Sequence, residues 1–142
     1  MCVADLEAVL EIEQASFPIP WSRNAFLQEL LENDRAIYLI ARDETERIAG
    51  YIGMWIVLDE GHITNLATHP DFRRSGVGRT LLAAMMTAGR EQGVRYVTLE
   101  VRRSNLAAQQ LYQKAGFAPM GVRRQYYLDN KEDAVIMWKG PI

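Results

Sequence analysis

The segment from residue 61 to residue 102 limits the topology more than any other part of the chain. It runs GHITNLATH, a β-rich stretch ended by Pro70, then the loop DFRRSGVG, then GRTLLAAMMTAGREQG, then VRYVTLEVR. Proline cannot donate to a continuing ladder, so the first strand stops before it. Leu81, Leu82, Met85 and Ala88 form one face of a helix closed by Gly93. Strand, glycine loop, helix and strand in that order make a βαβ-like crossover, which sets the two strands parallel.

The flanking sequence supplies antiparallel partners. AIYLIAR (36–42) and RIAGYIGMWIVL (47–58), separated by the polar DETE, predict a hairpin. Ahead of it, Leu6, Val9, Leu10, Ile12, Glu13 and Ala15 predict a helix that stops before Pro18 and Pro20. A second helix follows Ser22 as N-cap, with Phe26, Leu27, Leu30 and Leu31 as its core-facing stripe. After the crossover, SNLAAQQLYQKAG predicts a last helix with Ser104 as N-cap and Gly116 as its end. Strands near 117–127 and 133–139 finish a mixed sheet. The 142 residues suit one domain, residues 1–142, of α/β (α+β) class.

Composition excludes several functions. The chain is 49% hydrophobic and 24% charged, which is globular rather than disordered. A net charge of −2 argues against a nucleic-acid surface, whose affinity needs many Lys and Arg contacts to phosphate. No apolar run is long enough for a membrane span, so a cytoplasmic protein is expected. Cys2 is the only cysteine, which rules out an internal disulfide and a C-x-x-C zinc site. His62 and His69 are too few for a metal site and read as strand or turn packing.

The loop Arg73-Arg74-Ser75-Gly76-Val77-Gly78-Arg79 reads as an anion site. Gly76 and Gly78 permit a tight turn and close backbone approach, the following helix offers unpaired N–H groups, and three arginines add charge suited to a pyrophosphate. A dinucleotide fingerprint needs a third glycine where Leu81 stands, and a nucleotide-triphosphate loop needs a lysine where Arg79 stands. The run instead resembles the Q/R-x-x-G-x-G/A motif of the GNAT acetyltransferases. That resemblance implies a GNAT fold, with a mixed, mostly antiparallel central sheet splayed at the cofactor site and flanked by helices. It also implies acetyl-CoA as cosubstrate, held by the amides from about Arg74 to Arg79, with Leu66 and Ala67 holding its pantetheine arm and thioester.

The second informative block is LEVRRSNLAAQQLYQKAGF. By period two, Val97, Leu99 and Val101 share one face of their strand, and Thr98 and Glu100 the other. From pattern alone Glu100 reads as a solvated strand carboxylate or a salt-bridge partner. Asn105 and Tyr112, seven apart, lie along the same side of the last helix and can meet one ligand. With FPIPWS (17–22), LATHPDFRRSGVG, Tyr126-Tyr127 and Glu132-Asp133-Ala134 with Met137, this block resembles the GNAT subfamily of protein N-terminal acetyltransferases, bacterial ribosomal-protein alanine acetyltransferases and Ard1-type catalytic subunits among them. The resemblance implies that Glu100 is the general base, that Tyr112 protonates the departing thiolate, and that Asn105 contacts the cofactor arm. It also implies that Tyr126 and Tyr127 close over an N-terminal peptide, with a small-subunit ribosomal protein as the leading source if the chain is bacterial. Asp59 and Glu60 read either as a solvated turn or as an attraction for a basic substrate tail. One departure stands out: family members begin with a strand before the first helix, and here only Met1 to Val3 precede Ala4.

Overall fold

A computed structural model describes residues 1–142. Helices α1 (Leu6–Ser16) and α2 (Arg23–Leu31) come first, then strands β1 (Ala36–Arg42), β2 (Ile48–Val57) and β3 (Glu60–Thr68). Helix α3 (Val77–Glu91), strand β4 (Tyr96–Arg102), helix α4 (Leu106–Lys114) and strands β5 (Ala118–Arg123) and β6 (Ala134–Lys139) complete the chain. No strand precedes α1; Val3–Asp5 is a single 3-10 turn, held by Asp5 Oδ2 accepting from Cys2 N–H.

The six strands form one sheet in the order β1-β2-β3-β4-β6-β5. Every neighbouring pair is antiparallel except β3 with β4, as the crossover requires. The sheet has helices on both faces, which explains why β2 is an unbroken apolar run rather than an alternating one. Ile52, Met54 and Ile56 pack towards α3 with Leu81, Leu82 and Met85, whereas Ile48 and Tyr51 pack towards α1 and α2 with Leu6, Val9, Ile12 and Phe26. Leu31, placed by its spacing in the α2 stripe, is instead 69% exposed because the helix ends there.

Two local features shape the middle of the sheet. In the β2–β3 ladder Gly53 pairs with Asn65 but Met54 pairs with Ile63, so Thr64 is an extra residue, a β-bulge. The bulge swaps the faces of β3: Ile63 and Leu66 both turn towards the α3 core, and Ala67 turns towards Tyr51 on the other. Beside it the Tyr38 ring lies across Gly53, where an added Cβ would stand 2.3 Å from a ring carbon. Gly53→Ala is therefore expected to cost about 1–3 kcal/mol by overpacking, read as a lower midpoint in urea unfolding.

Helix α1 also buries one acid. Glu13 is 2% exposed, its Oε2 accepts from Trp21 N–H at 2.9 Å and its Oε1 accepts from the Tyr51 hydroxyl. This carboxyl fixes the FPIPWS turn against α1 and β2, because a buried carboxylate must keep its hydrogen-bond partners.

Candidate functional site

The glycine loop is built as an open helix start. Gly76 has φ +83°, a left-handed conformation that glycine adopts without penalty, and Arg74 beside it is also left-handed at φ +64°. Thr80 N–H is the first in α3 to reach an intrahelical carbonyl, that of Gly76 at 3.0 Å, so the amides of Val77, Gly78 and Arg79 stand ahead of the ladder. Arg73, Arg74 and Arg79 are exposed and make no ion pair within the chain. Ser75 is tied down, its hydroxyl donating to Phe72 O. Gly78 serves packing as well as approach: it is the second residue of α3, and an added Cβ would meet Leu111 of α4 at 3.1 Å. Unpaired amides, a helix dipole and three free cations favour a multiply charged anion here.

From this loop a cleft runs into the sheet. Strands β3 and β4 pair only at Glu60 with Tyr96, Gly61 with Val97 and His62 with Thr98. Beyond that point they part, so β3 from Ile63 to Thr68 keeps a ladder only on its β2 side. The separation starts next to the Thr64 bulge, whose added twist turns β3 away from β4. An extended ligand can take the place of the missing neighbour strand along this edge. Leu66 is half-buried on it; the Ala67 side chain is buried against the α1–α2 core, which leaves only its backbone to face a ligand.

Glu100 projects from β4 opposite the buried Val97, Leu99 and Val101, as period two requires. Its side chain is 10% exposed, with Oε2 2.6 Å from His62 Nε2 and Oε1 3.5 Å from Arg123 Nε. The hydrogen bond from His62, with the charges of His62 and Arg123 behind it, holds the carboxyl below the usual carboxylate range against the upward pull of burial. His62, expected as packing, stands beside Glu100, a contact that the packing expectation does not contain. The signal was present: alternation in GHITN sets His62 opposite Ile63, as alternation in LEV sets Glu100 opposite Leu99.

Tyr112 lies on α4 with its ring edge-on to Phe117, centroids 5.9 Å apart, and burial pushes its phenol up. Tyr126 and Tyr127 pack edge-to-face at 5.1 Å in the β5–β6 connection. Tyr126 is 43% exposed, and Tyr127 carries the Arg102 guanidinium 3.9 Å above its ring. Burial raises both phenols, that of Tyr127 to about 12, and the charge of Glu100 adds to both. Tyr127 in turn acts on Tyr112, so the pair stands within electrostatic reach of the carboxylate and of the buried phenol alike.

The connection that bears these tyrosines is pinned from below. Glu132 accepts from Ser104 N–H at 2.7 Å and Asp133 accepts from Gln125 N–H at 2.9 Å, while Arg102 pairs with Asp129 at 3.1 Å. Ser104, expected as the N-cap of the last helix, is displaced from that role by Asn105, whose Oδ1 accepts from Ala108 N–H at 3.1 Å. That cap leaves the Asn105 amide N–H groups free for a ligand. Asp59 and Glu60 do not join the site. The Asp59 carbonyl accepts from Arg95 and Tyr96 N–H, and Glu60 pairs with Tyr96, four residues or about 13 Å along β4 from Glu100. No group of three or more His, Cys, Asp or Glu side chains is placed to hold a metal ion, and no helix is long and apolar enough to cross a membrane.

An anion-binding helix start, an opened strand edge and a buried carboxylate at its end suit transfer of a group from a phosphorylated carrier to an acceptor held near Glu100. Comparison with known proteins identifies a family of group-transfer enzymes. Residues 6–117 match the Acetyltransferase (GNAT) family. The chain is 46% identical over 97% of its length to a Bacillus subtilis protein provisionally named a [ribosomal protein bS18]-alanine N-acetyltransferase, 91% of which is covered. It is 39% identical over 96% of its length to the [ribosomal protein bS18]-alanine N-acetyltransferase of Salmonella typhimurium, 92% of which is covered. The crystal structure of the ribosomal-protein-S18-alanine N-acetyltransferase from Escherichia coli matches with a TM-score of 0.89 and 35% identity, over 99% of this chain and 90% of that one. Because the family match spans both the glycine loop and the strand bearing Glu100, the chain belongs to the GNAT family of acetyltransferases, which draw their acetyl group from acetyl-CoA.

Proposed function

We propose that the chain acetylates the N-terminal α-amine of a protein, with the N-terminal alanine of a small-subunit ribosomal protein as its leading acceptor. The observation that carries this reading is the buried Glu100 carboxylate at the splay of β3 and β4, within electrostatic reach of Tyr126 and Tyr127. The names and coverage of the bacterial relatives support the choice of acceptor. The Val77, Gly78 and Arg79 amides and the neighbouring arginines hold the pyrophosphate of acetyl-CoA, and the free edge of β3 near Leu66 and Ala67 holds its arm and polarises the carbonyl.

An N-terminal amine has an ordinary pKa near 8 and is mostly protonated at neutral pH, so it must lose a proton before it can attack a thioester. Glu100, held below the carboxylate range, is ionised there and accepts that proton. The amine then attacks the carbonyl directly; Tyr112, a phenol that stays protonated at neutral pH, donates to the departing sulfur, and the second proton that the nitrogen sheds on becoming an amide restores the phenol. Asn105 steadies the cofactor arm through its amide. Tyr126 and Tyr127 form a rim that admits a chain end more readily than an internal lysine loop.

Two variants separate the subsites. Gly76→Val forces a side chain into left-handed backbone, a strain of about 1–2 kcal/mol, and is expected to raise the KM for acetyl-CoA about tenfold with little change in the peptide KM. Tyr126→Ala is expected to do the reverse in the same steady-state assay, raising the peptide KM severalfold. The acceptor itself is tested with peptides from ribosomal-protein N-termini that differ only in the first residue. Alanine first is expected to give the highest kcat/KM, and equal rates for every first residue would remove the alanine assignment.

A further inference from the structure

An N-terminal amine and a lysine amine differ in what stands beside them. A single carbon separates the α-amine from a carbonyl group, whereas the lysine amine ends a flexible four-carbon stem. A donor fixed next to the point where the amine meets its base therefore separates the two, because a site built to hydrogen-bond one group rejects an analogue that lacks it.

The bulge in β3 supplies such a donor. Trp55 pairs with His62, Met54 with Ile63 and Gly53 with Asn65, so Asn65 takes the step that Thr64 would fill in a regular strand. That step faces as His62 does, opposite Ile63 and Leu66 and away from the α3 core. His62 with Thr98 is the last pair before β3 and β4 part. Two steps further on, Asn65 and Glu100 stand level with each other across the opened gap. Asn65 is 5% exposed, yet its amide nitrogen has no hydrogen-bond partner in the chain. Thr64 Oγ1 donates to Asn65 Oδ1 at 2.7 Å, which fixes the amide with its N–H groups turned the other way. The fully enclosed side-chain polar atoms without a partner are the Ser16 and Tyr38 hydroxyls, so the Asn65 nitrogen keeps an opening. The Tyr38 ring across Gly53 closes the β2 side, and β4 has left the other, so the opening lies towards the gap that Glu100 lines. A buried donor left unpaired is unfavourable, and a ligand carbonyl relieves it.

We infer that Asn65 selects α-amines, its amide N–H donating to the carbonyl oxygen of the acceptor's first residue while the amine of that residue meets Glu100. The inference rests on the reading of the chain as an N-terminal acetyltransferase and names a contact that a lysine side chain cannot make. The carbonyl is common to every first residue, so Asn65 sets the class of amine and leaves the choice of alanine to the walls around it.

The test compares wild type with Asn65→Ala in steady-state acetylation of an alanine-first peptide, of the same peptide with a thioamide at its first peptide bond, and of an N-terminally blocked peptide with a free lysine. Sulfur is a weaker acceptor than oxygen, so the thioamide probes the bond from the substrate side. The expected result in Asn65→Ala is a fall of about tenfold in kcat/KM for the alanine-first peptide, with the KM for acetyl-CoA and the rate on lysine nearly unchanged. Wild type should lose severalfold on the thioamide peptide and the variant nothing further, as a pairwise coupling requires. Asn65→Leu keeps the volume without a donor, is expected to behave alike, and serves should the smaller residue fold poorly. A variant that keeps the wild-type kcat/KM, or that loses the alanine-first and lysine reactions in equal proportion, would overturn the inference and leave the N-terminal assignment standing. A thioamide penalty as large in the variant as in wild type would do the same. A wild type that acetylates lysine and no α-amine would overturn the inference together with the reading beneath it.

Discussion

Glu100→Gln is expected to lower kcat at pH 7 by roughly 10²- to 10⁴-fold while leaving the KM for acetyl-CoA near its wild-type value. The substitution keeps size and one acceptor oxygen for His62, gives up the 3.5 Å ion pair with the exposed Arg123, and the side chain lies on the sheet face away from the Leu99 core. The fold should therefore survive, and a thermal melt close to wild type is part of the expectation. The defect also has a pH signature. Because the Glu100 carboxyl sits below the usual range, it stays ionised through neutrality, and its own protonation limits the wild type only below an ordinary carboxylate pKa of about 4.3. In the variant no group removes the amine proton, so the rate depends on the fraction of amine already free. It should rise steadily as pH passes through about 8, narrowing the gap to wild type. Initial rates across that interval check this; a variant whose deficit stays constant with pH would point to a lost contact rather than a lost base.

Tyr112→Phe is the second large effect, a fall in kcat of roughly 10²-fold with both KM values nearly unchanged. Only the hydroxyl is removed, and the ring still packs against Phe117, so stability should change little. The sign of the pKa shift matters here. Burial first, then the neighbouring Tyr127, moves the phenol above its ordinary value near 10, so the proton is retained through the neutral and mildly alkaline range. Wild type should show no alkaline decline from Tyr112 until pH exceeds about 10. Steady-state kinetics of the variant alongside its melting curve distinguish loss of the donor from loss of packing.

Much of this architecture could be read from local pattern. The crossover from β3 through the glycine loop to β4 is dictated by neighbouring residues, and its parallel pairing follows from the helix that connects the two strands. Period two put Glu100 opposite Leu99 with no knowledge of the fold. Where a position depends on a distant segment, pattern gave less. Strand β6 lies between β4 and β5, an order fixed by tertiary pairing that no local signal records. The Thr64 bulge, which swaps the faces of Leu66 and Ala67, depends on how β2 and β3 register against each other. Ser104 and Asn105 are both good capping types, and the tie from Glu132 to the Ser104 amide, twenty-eight residues away, accompanies the choice of Asn105. Asp59 and Glu60 leave two readings open in the sequence, a solvated turn or an attraction for a basic tail, because no local signal says how far the turn before β3 stands from Glu100. His62 was legible as a face and not as a contact, since its partner lies thirty-eight residues further on.

The acceptor is the central claim, and mass spectrometry of short peptides incubated with acetyl-CoA and the protein tests it most directly. The set holds alanine-first peptides with free N-termini and the same peptides with the N-terminus blocked and a lysine left free. Transfer confined to the free α-amine is the expected result; acetylation of the blocked, lysine-bearing peptides at comparable rates would contradict an N-terminal acetyltransferase.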